Sequence, residues 1–298
     1  MTAAGIRDTL TSELLARGLA LGAIALLAVV LVGRWRAASG REVPVPIAGL
    51  ALVAGAMFAL ADTTPLPAVV ILGLVLLALA GRLAQGSVVY GISLALPGAV
   101  LLALESPSEP RWIPVAVGVS AALGSVAAAS FDRQYARLAL GPVLFALSVF
   151  GVYLTIPETD LALTVLGVAA PMALAGWPMA LARLGDGGAF ASVGLLSWIT
   201  ATGGITRSSA VIGGLACLGV LVVEPVSRSV VTRRIRNRLV NPWVIVALHV
   251  VVVLLVARAA GLRSSRLMAL LVASSTLIAA VVVTACWVGW MNRRRRDS

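Results

Sequence analysis

Residues 18–36 read GLALGAIALLAVVLVGRWR. A helix that crosses a bilayer needs about 20 mainly apolar residues, and the apolar run at 15–33 approaches that length. A cleavable secretory signal would continue into small neutral residues. This run instead meets Arg34, Trp35 and Arg36, which form a cationic stop with an interfacial aromatic side chain. The stretch therefore predicts a helix that stays anchored in a membrane.

The composition of the whole chain agrees with that prediction. Of the 298 residues, 60% are hydrophobic and only 12% are charged, and the mean hydropathy is +1.03. A soluble domain usually carries about a quarter charged residues. A soluble chain of this length could not hide so much apolar surface in its own core, whereas a bilayer accepts apolar faces directly. The composition excludes an ordinary soluble protein.

Apolar runs recur along the chain and predict about eleven spans. They lie at 15–33, 44–61, 65–81, 87–104, 113–130, 138–155, 161–182, 189–203, 208–223, 240–257 and 267–291. The predicted fold is an all-α, polytopic transmembrane helix bundle in one domain, 1–298. The segments 44–81 and 189–223 are each either a double crossing or a re-entrant hairpin, which leaves an odd number of spans.

The arginines orient the predicted bundle. The chain has 23 arginines and no lysine, a bias typical of a GC-rich bacterial genome. With the N-terminus outside and the C-terminus inside, 16 arginines fall inside and seven outside, as the positive-inside rule requires. We expect a multi-pass protein of the bacterial cytoplasmic (inner) membrane, with a short basic cytoplasmic tail at 292–298. Because the arginines lie at span ends, their charge favours membrane retention over nucleic-acid binding.

One inner loop carries five of these arginines and is predicted to contact anionic lipids. They are Arg228, Arg233, Arg234, Arg236 and Arg238. The predicted partners of the chain are membrane lipids and other membrane proteins.

Helix-breaking residues suggest a substrate pathway. Pro97 interrupts the fourth span, Pro171 and Pro178 lie seven residues apart in the seventh, and Gly203 precedes a turn that holds Arg207. Broken helices often build the substrate site of transporters near the bilayer midplane. Ordinary kinks are the alternative, since membrane helices tolerate proline.

His249, the only histidine, lies midway along the tenth predicted span. An ionisable group near the bilayer centre is a candidate for a functional site, here as part of the pathway. The alternative is a neutral imidazole that is hydrogen-bonded to Ser274, Ser275 or Thr276 of a neighbouring helix.

No catalytic, metal or cofactor motif stands out. One histidine cannot form a His-Glu-x-x-His zinc motif, and a chain without lysine cannot form a phosphate-binding Walker loop. Cys217 and Cys286 lie inside apolar runs and are interpreted as buried hydrophobic residues. We therefore predict no catalytic residue, no metal and no cofactor.

Three functions stay open. The first is a permease- or flippase-like transporter, and the second is a non-catalytic membrane subunit or scaffold that anchors partner proteins. The third is a membrane enzyme that acts on a lipid-linked substrate with outer acidic residues, although a solvated rim is the simpler explanation, because charged loop residues usually just contact water. The outer acidic residues are Asp62, Glu105, Glu109, Glu158 and Asp160, around Arg111.

Overall fold

The computed structural model describes residues 13–40, 44–61, 66–84, 87–156, 160–203, 209–217 and 242–261. Within them the helices are α1 (Glu13–Ala38), α2 (Ala48–Leu60), α3 (Ala68–Leu83), α4 (Val88–Leu104), α5 (Trp112–Gln134), α6 (Gly141–Thr155), α7 (Asp160–Gly176), α8 (Asp186–Gly203), α9 (209–217) and α10 (Pro242–Gly261). Extended pairing in these segments is limited to one parallel bridge between Val45 and Ala182. The prediction of an all-α fold is confirmed for this part of the chain.

Two of the described helices, α1 and α5, are long and apolar enough to cross a membrane. The shorter helices α2, α3, α4, α6 and α7 are also apolar. The predicted span at 267–291 and the basic tail at 292–298 lie outside the described residues. The number of eleven spans therefore stays a prediction.

The predicted breaks at proline are corrected by the structure. Pro97 and Pro171 each lie inside one continuous helix, α4 and α7. Proline fixes φ near −65°, a helical value, so a packed helix continues through it at the loss of one hydrogen bond. Helix α7 ends at Gly176, whereas the sequence predicted a span to 182, so Pro178 lies in the following turn and not on a common helix face with Pro171.

Helices that follow one another in the chain, from α1 to α8, alternate in direction, so that their ends lie at two opposite ends of the bundle. At one end, Val45 before α2 pairs with Ala182 before α8, and a Cβ on Gly81 near the end of α3 would meet the carbonyl of Asp186. At the other end, Arg17 near the start of α1 donates to the carbonyl oxygen of Phe58 near the end of α2, at 3.5 Å. The first end is called the arginine-rich end. It holds Arg34, Arg36, Arg82, Arg133, Arg137 and Arg183.

Helix α8 is the centre of the described bundle. All fifteen residues from Gly187 to Ala201 are buried, and α2, α3 and α5 pack around the helix. A Cβ on Gly49 of α2 would lie 2.6 Å from the carbonyl carbon of Gly188, so the two backbones touch directly. Glycine is required at this contact because any side chain would force the helices apart.

Candidate functional site: crossed ion pairs at the arginine-rich end

Four charged side chains form two crossed ion pairs where α5 ends and α8 begins. Asp132 and Arg133 lie in the last turn of α5, and Arg183 and Asp186 flank the start of α8. Arg183 Nη1 lies 3.3 Å from Asp132 Oδ2, and Arg133 Nη1 lies 3.1 Å from Asp186 Oδ2. These four residues are called the ion-pair cluster.

Asp132 is the most buried member of the ion-pair cluster, with 1% of its surface exposed. Its Oδ1 accepts a hydrogen bond from the backbone N–H of Leu184 at 3.0 Å, and its Oδ2 accepts one from Gly185 at 2.9 Å. Together with Arg183, the carboxylate therefore has three donors. A buried charge requires such compensation, because its removal from water is otherwise too costly.

The turn that binds Asp132 has, at one position, a backbone conformation that only glycine adopts without strain. Gly185 has a φ of +74°, and a Cβ there would collide with the carbonyl of Pro46. The left-handed conformation lets two successive N–H groups point at one carboxylate. The Asp132 site is therefore built by the backbone as well as by Arg183.

The same turn also holds the start of α2. The first N–H groups of a helix lack partners inside it. Here Ala48 N donates to the carbonyl oxygen of Arg183 at 3.1 Å, and Gly49 N donates to that of Leu184 at 3.2 Å. The segment 183–185 thus joins three helices, α2, α5 and α8, at one point.

The other pair, Arg133–Asp186, is less buried. The side chains are 30% and 26% exposed. Arg133 lies at the C-terminal end of α5 and Asp186 at the N-terminal end of α8, so each charge also opposes the partial charge of its own helix end. Asp186 Oδ1 is buried and accepts no hydrogen bond. This pair is the part of the ion-pair cluster that water reaches most readily.

Side chains with hydroxyl groups lie along α8 beyond the ion-pair cluster. Ser192 Oγ donates to the carbonyl oxygen of Gly49 at 3.4 Å, and Ser197 Oγ donates to Ser120 Oγ at 3.2 Å. Ser120 opens a π-helical turn, Ser120–Gly124, in α5, and such turns are frequent at functional sites. Near the far end of α8, the indole Nε1 of Trp198 is buried without an acceptor. The polar groups of α8 therefore lie inside the bundle.

Among the described pathway residues, two lie on segments next to the ion-pair cluster: His249, and Pro178 in the turn that precedes Arg183. His249 in α10 is buried, at 1% exposure, and its ring centroid lies 6.2 Å from that of Phe131, the neighbour of Asp132 in α5. The predicted pathway role of His249 remains a prediction, and its alternative partners Ser274, Ser275 and Thr276 lie outside the described residues.

The prolines lie in different parts of the bundle. Helix α4, which contains Pro97, packs against α3 and α5, whereas α7, which contains Pro171, packs against α1, α2 and α6. Arg207 and the predicted lipid-contacting arginines Arg228, Arg233, Arg234, Arg236 and Arg238 are outside the described residues.

The sequence reasoning missed the ion-pair cluster. It interpreted Arg133 and Arg183 only as orientation signals and gave Asp132 and Asp186 no role, although Asp132 is buried. A signal was present: Asp132-Arg133 at one span end is matched by Arg183 and Asp186 at another on the same predicted side. Opposite charges at two such ends favour pairing once the helices are neighbours.

The outer acidic residues form no comparable site in the part that is described. Glu105 and Glu109 are exposed, and the side chains of Asp62, Glu158 and Asp160 are outside the description. Among the described residues, no three His, Cys, Asp or Glu side chains are grouped to hold a metal ion. Comparison of the chain with family profiles, curated proteins and solved structures finds no match.

Proposed function

We propose that this chain is a multi-pass integral membrane protein of the bacterial inner membrane. The support is the apolar outer surface of the bundle: large apolar side chains face outward as well as filling the core, and several serine and threonine side chains, Asp132 and His249 are buried among them. Soluble monomers rarely expose such continuous apolar surface. The outward-facing side chains include Ile24, Leu27 and Leu31 on α1, Leu72, Val75 and Leu79 on α3, Leu96 and Val100 on α4, and Val251, Leu254 and Leu255 on α10.

The proposed orientation has the arginine-rich end in the cytoplasm. Among the described residues, this end has six arginines and two aspartates, whereas the opposite end has Arg17, Arg111 and Arg258 with four acidic residues. The positive-inside rule favours the cytoplasm for the more basic end.

Within this class we propose a transporter of the permease or flippase kind, closed at the cytoplasmic end by the ion-pair cluster. The observation that carries the proposal is the ion-pair cluster itself. Ionisable groups among membrane helices are costly and mark pathways more often than passive contacts. When α5 and α8 separate, water can replace the contact between Arg133 and Asp186. The pair can therefore open and close reversibly. Opening would expose the face of α8 that carries Ser197, which contacts Ser120 of α5, to the cytoplasm.

Thiol accessibility tests this closure without knowledge of the substrate. A single cysteine replaces Ser197, which contacts Ser120 of α5, in a chain whose Cys217 and Cys286 are changed to alanine. Inside-out vesicles then receive an impermeant maleimide. Asp186→Arg places like charges together and should increase labelling several-fold. Adding Arg133→Asp restores opposite charges and should lower the labelling again. The control Arg137→Asp changes an exposed arginine that makes no ion pair within the described chain, and it should leave the labelling unchanged. Equal labelling in all four proteins would contradict the gate.

A non-catalytic membrane scaffold is the second candidate, and a different observation favours it. The backbones of Gly49 and Gly188 touch, and α8 is enclosed over fifteen residues. A scaffold keeps such contacts fixed in every state. It therefore predicts that the cysteine at position 197 stays unreactive in every variant that still inserts, which is the opposite of the transporter result.

A further inference from the structure

The six arginines that the structure describes at the arginine-rich end fall into two groups. Arg133 and Arg183 are half-buried and belong to the ion-pair cluster. The other four make no ion pair with any acidic side chain of the described chain. These four, called the unpaired arginines, are Arg34, Arg36, Arg82 and Arg137.

The unpaired arginines surround the junction at which α8 begins. Arg34 follows Gly33, whose Cα faces Leu181, and a Cβ on Gly187 would meet Arg82 Cγ at 3.2 Å. Arg137 lies in the turn between α5 and α6. Arg34, Arg82 and Arg137 are exposed, and Arg36 is half-buried. Within the described part of the chain, this end of the bundle therefore presents four arginines that no acidic side chain pairs with.

Exposed apolar side chains lie directly beside these charges. Leu31 and Trp35 are exposed on the same turns of α1 as Arg34, and exposed Leu83 follows Arg82. A surface with guanidinium groups at the end of the bundle and apolar side chains next to them matches an anionic phospholipid, whose acyl chains adjoin a negatively charged headgroup. Tryptophan is also enriched at this depth of a bilayer.

We infer that the unpaired arginines form a binding surface for the headgroups of anionic phospholipids. The inference rests on the proposed membrane location and deepens it by naming the lipid class. It is separate from the predicted lipid contacts of Arg228 to Arg238, which belong to another segment. An acidic soluble protein would satisfy the charges but would leave Leu31 and Leu83 beside it exposed to water, and so fits less well.

Lipid titration of the purified full chain tests this surface. Phosphatidylglycerol or phosphatidylcholine is added to the protein in neutral detergent, and the thermal unfolding midpoint is followed against lipid concentration. Phosphatidylglycerol should raise the midpoint at lower concentration than phosphatidylcholine does. Changing Arg34, Arg36, Arg82 and Arg137 to glutamine should weaken the apparent phosphatidylglycerol affinity by up to about fivefold for each arginine that reaches a headgroup.

The matched control changes Arg17, Arg111 and Arg258, the described arginines of the opposite end, to glutamine, and should keep the phosphatidylglycerol affinity. Inorganic phosphate at equal ionic strength should not reproduce the shift, because it lacks acyl chains. An unchanged affinity in the four-arginine variant, or an equal loss in the control, would overturn the inference. Carbonate extraction of cell membranes tests the membrane location separately: a chain released by carbonate refutes that location, whereas a retained chain with no phosphatidylglycerol preference refutes only the lipid surface.

Discussion

Replacement of each aspartate of the ion-pair cluster by asparagine should lower the free energy of unfolding by very different amounts. Each makes one ion pair with an arginine, at 3.3 Å for Asp132 and 3.1 Å for Asp186. Their surroundings differ, because the Asp132 side chain is fully buried and binds two backbone N–H groups, whereas that of Asp186 is 26% exposed. Asp→Asn at each position removes one negative charge and nearly preserves the shape.

Asp132→Asn should lower the free energy of unfolding by about 3–5 kcal/mol, the range for breaking a buried pair. The new amide has one carbonyl oxygen, so it accepts from only one of Leu184 N and Gly185 N. Its NH₂ group faces the other, and a buried N–H without an acceptor costs about 1–3 kcal/mol of this total. The remainder comes from Arg183, which loses its counter-charge.

Asp186→Asn should lower the free energy of unfolding by about 0–1 kcal/mol, the range for ion pairs that are screened by solvent. Asp186 Oδ1 accepts no hydrogen bond, so the change to an amide weakens the contact with Arg133 and removes a negative charge from the start of α8, and both effects are screened by water. The two substitutions therefore differ by several kcal/mol although they look identical in sequence.

Unfolding of the full chain in mixed micelles measures this difference. Sodium dodecyl sulfate is titrated into a mild detergent, and helix content is followed by circular dichroism for the unchanged protein and both variants. Equal losses at the two positions would refute the reasoning, because they would mean that burial and the backbone hydrogen bonds contribute nothing at Asp132. A cost below about 1 kcal/mol at Asp132 would refute it as well.

Further predictions concern packing, orientation and the histidine. Gly167→Ala would place a Cβ 2.9 Å from the backbone of α1 and should destabilise the fold by about 1–3 kcal/mol, whereas Gly118→Ala meets only ordinary contacts and should be neutral or stabilising in the same micelle titration. In a cysteine-free chain, Arg137→Cys should resist an impermeant maleimide in intact cells while Glu105→Cys reacts, and the reverse pattern would invert the topology. His249→Gln should abolish any pH dependence of a transporter in vesicle flux assays, but a scaffold should lose only about 0.6 kcal/mol of stability.

The helical class of the described chain could be predicted from sequence because it depends on local composition. A helix satisfies its backbone hydrogen bonds within one segment, so an apolar run predicts a helix without knowledge of its neighbours. The predicted run 15–33 corresponds to α1, Glu13–Ala38. The end of α7 was misplaced, since average hydropathy over 161–182 does not register the turn after Gly176.

The consequences of the prolines were not predictable in the same way. A proline lowers the stability of a helix interior, but neighbouring helices decide whether the helix breaks. At Pro97 the adjacent Gly98 lies against Gly73 of α3, and this close contact supports a continuous α4. Such support depends on which helix becomes the neighbour.

The sequence alone therefore determined the helical class of the described segments and the uneven distribution of arginine, because both depend only on which residues stand near one another in the chain. Only the tertiary structure decided which arginines are paired. Asp132 and Arg183 are 51 residues apart, and Arg133 and Asp186 are 53 apart. These pairs form only because α5 and α8 pack together and because the backbone at Gly185 is left-handed. Before the helices pack, the electrostatic attraction between such distant charges is screened by water and salt and cannot specify which residues pair.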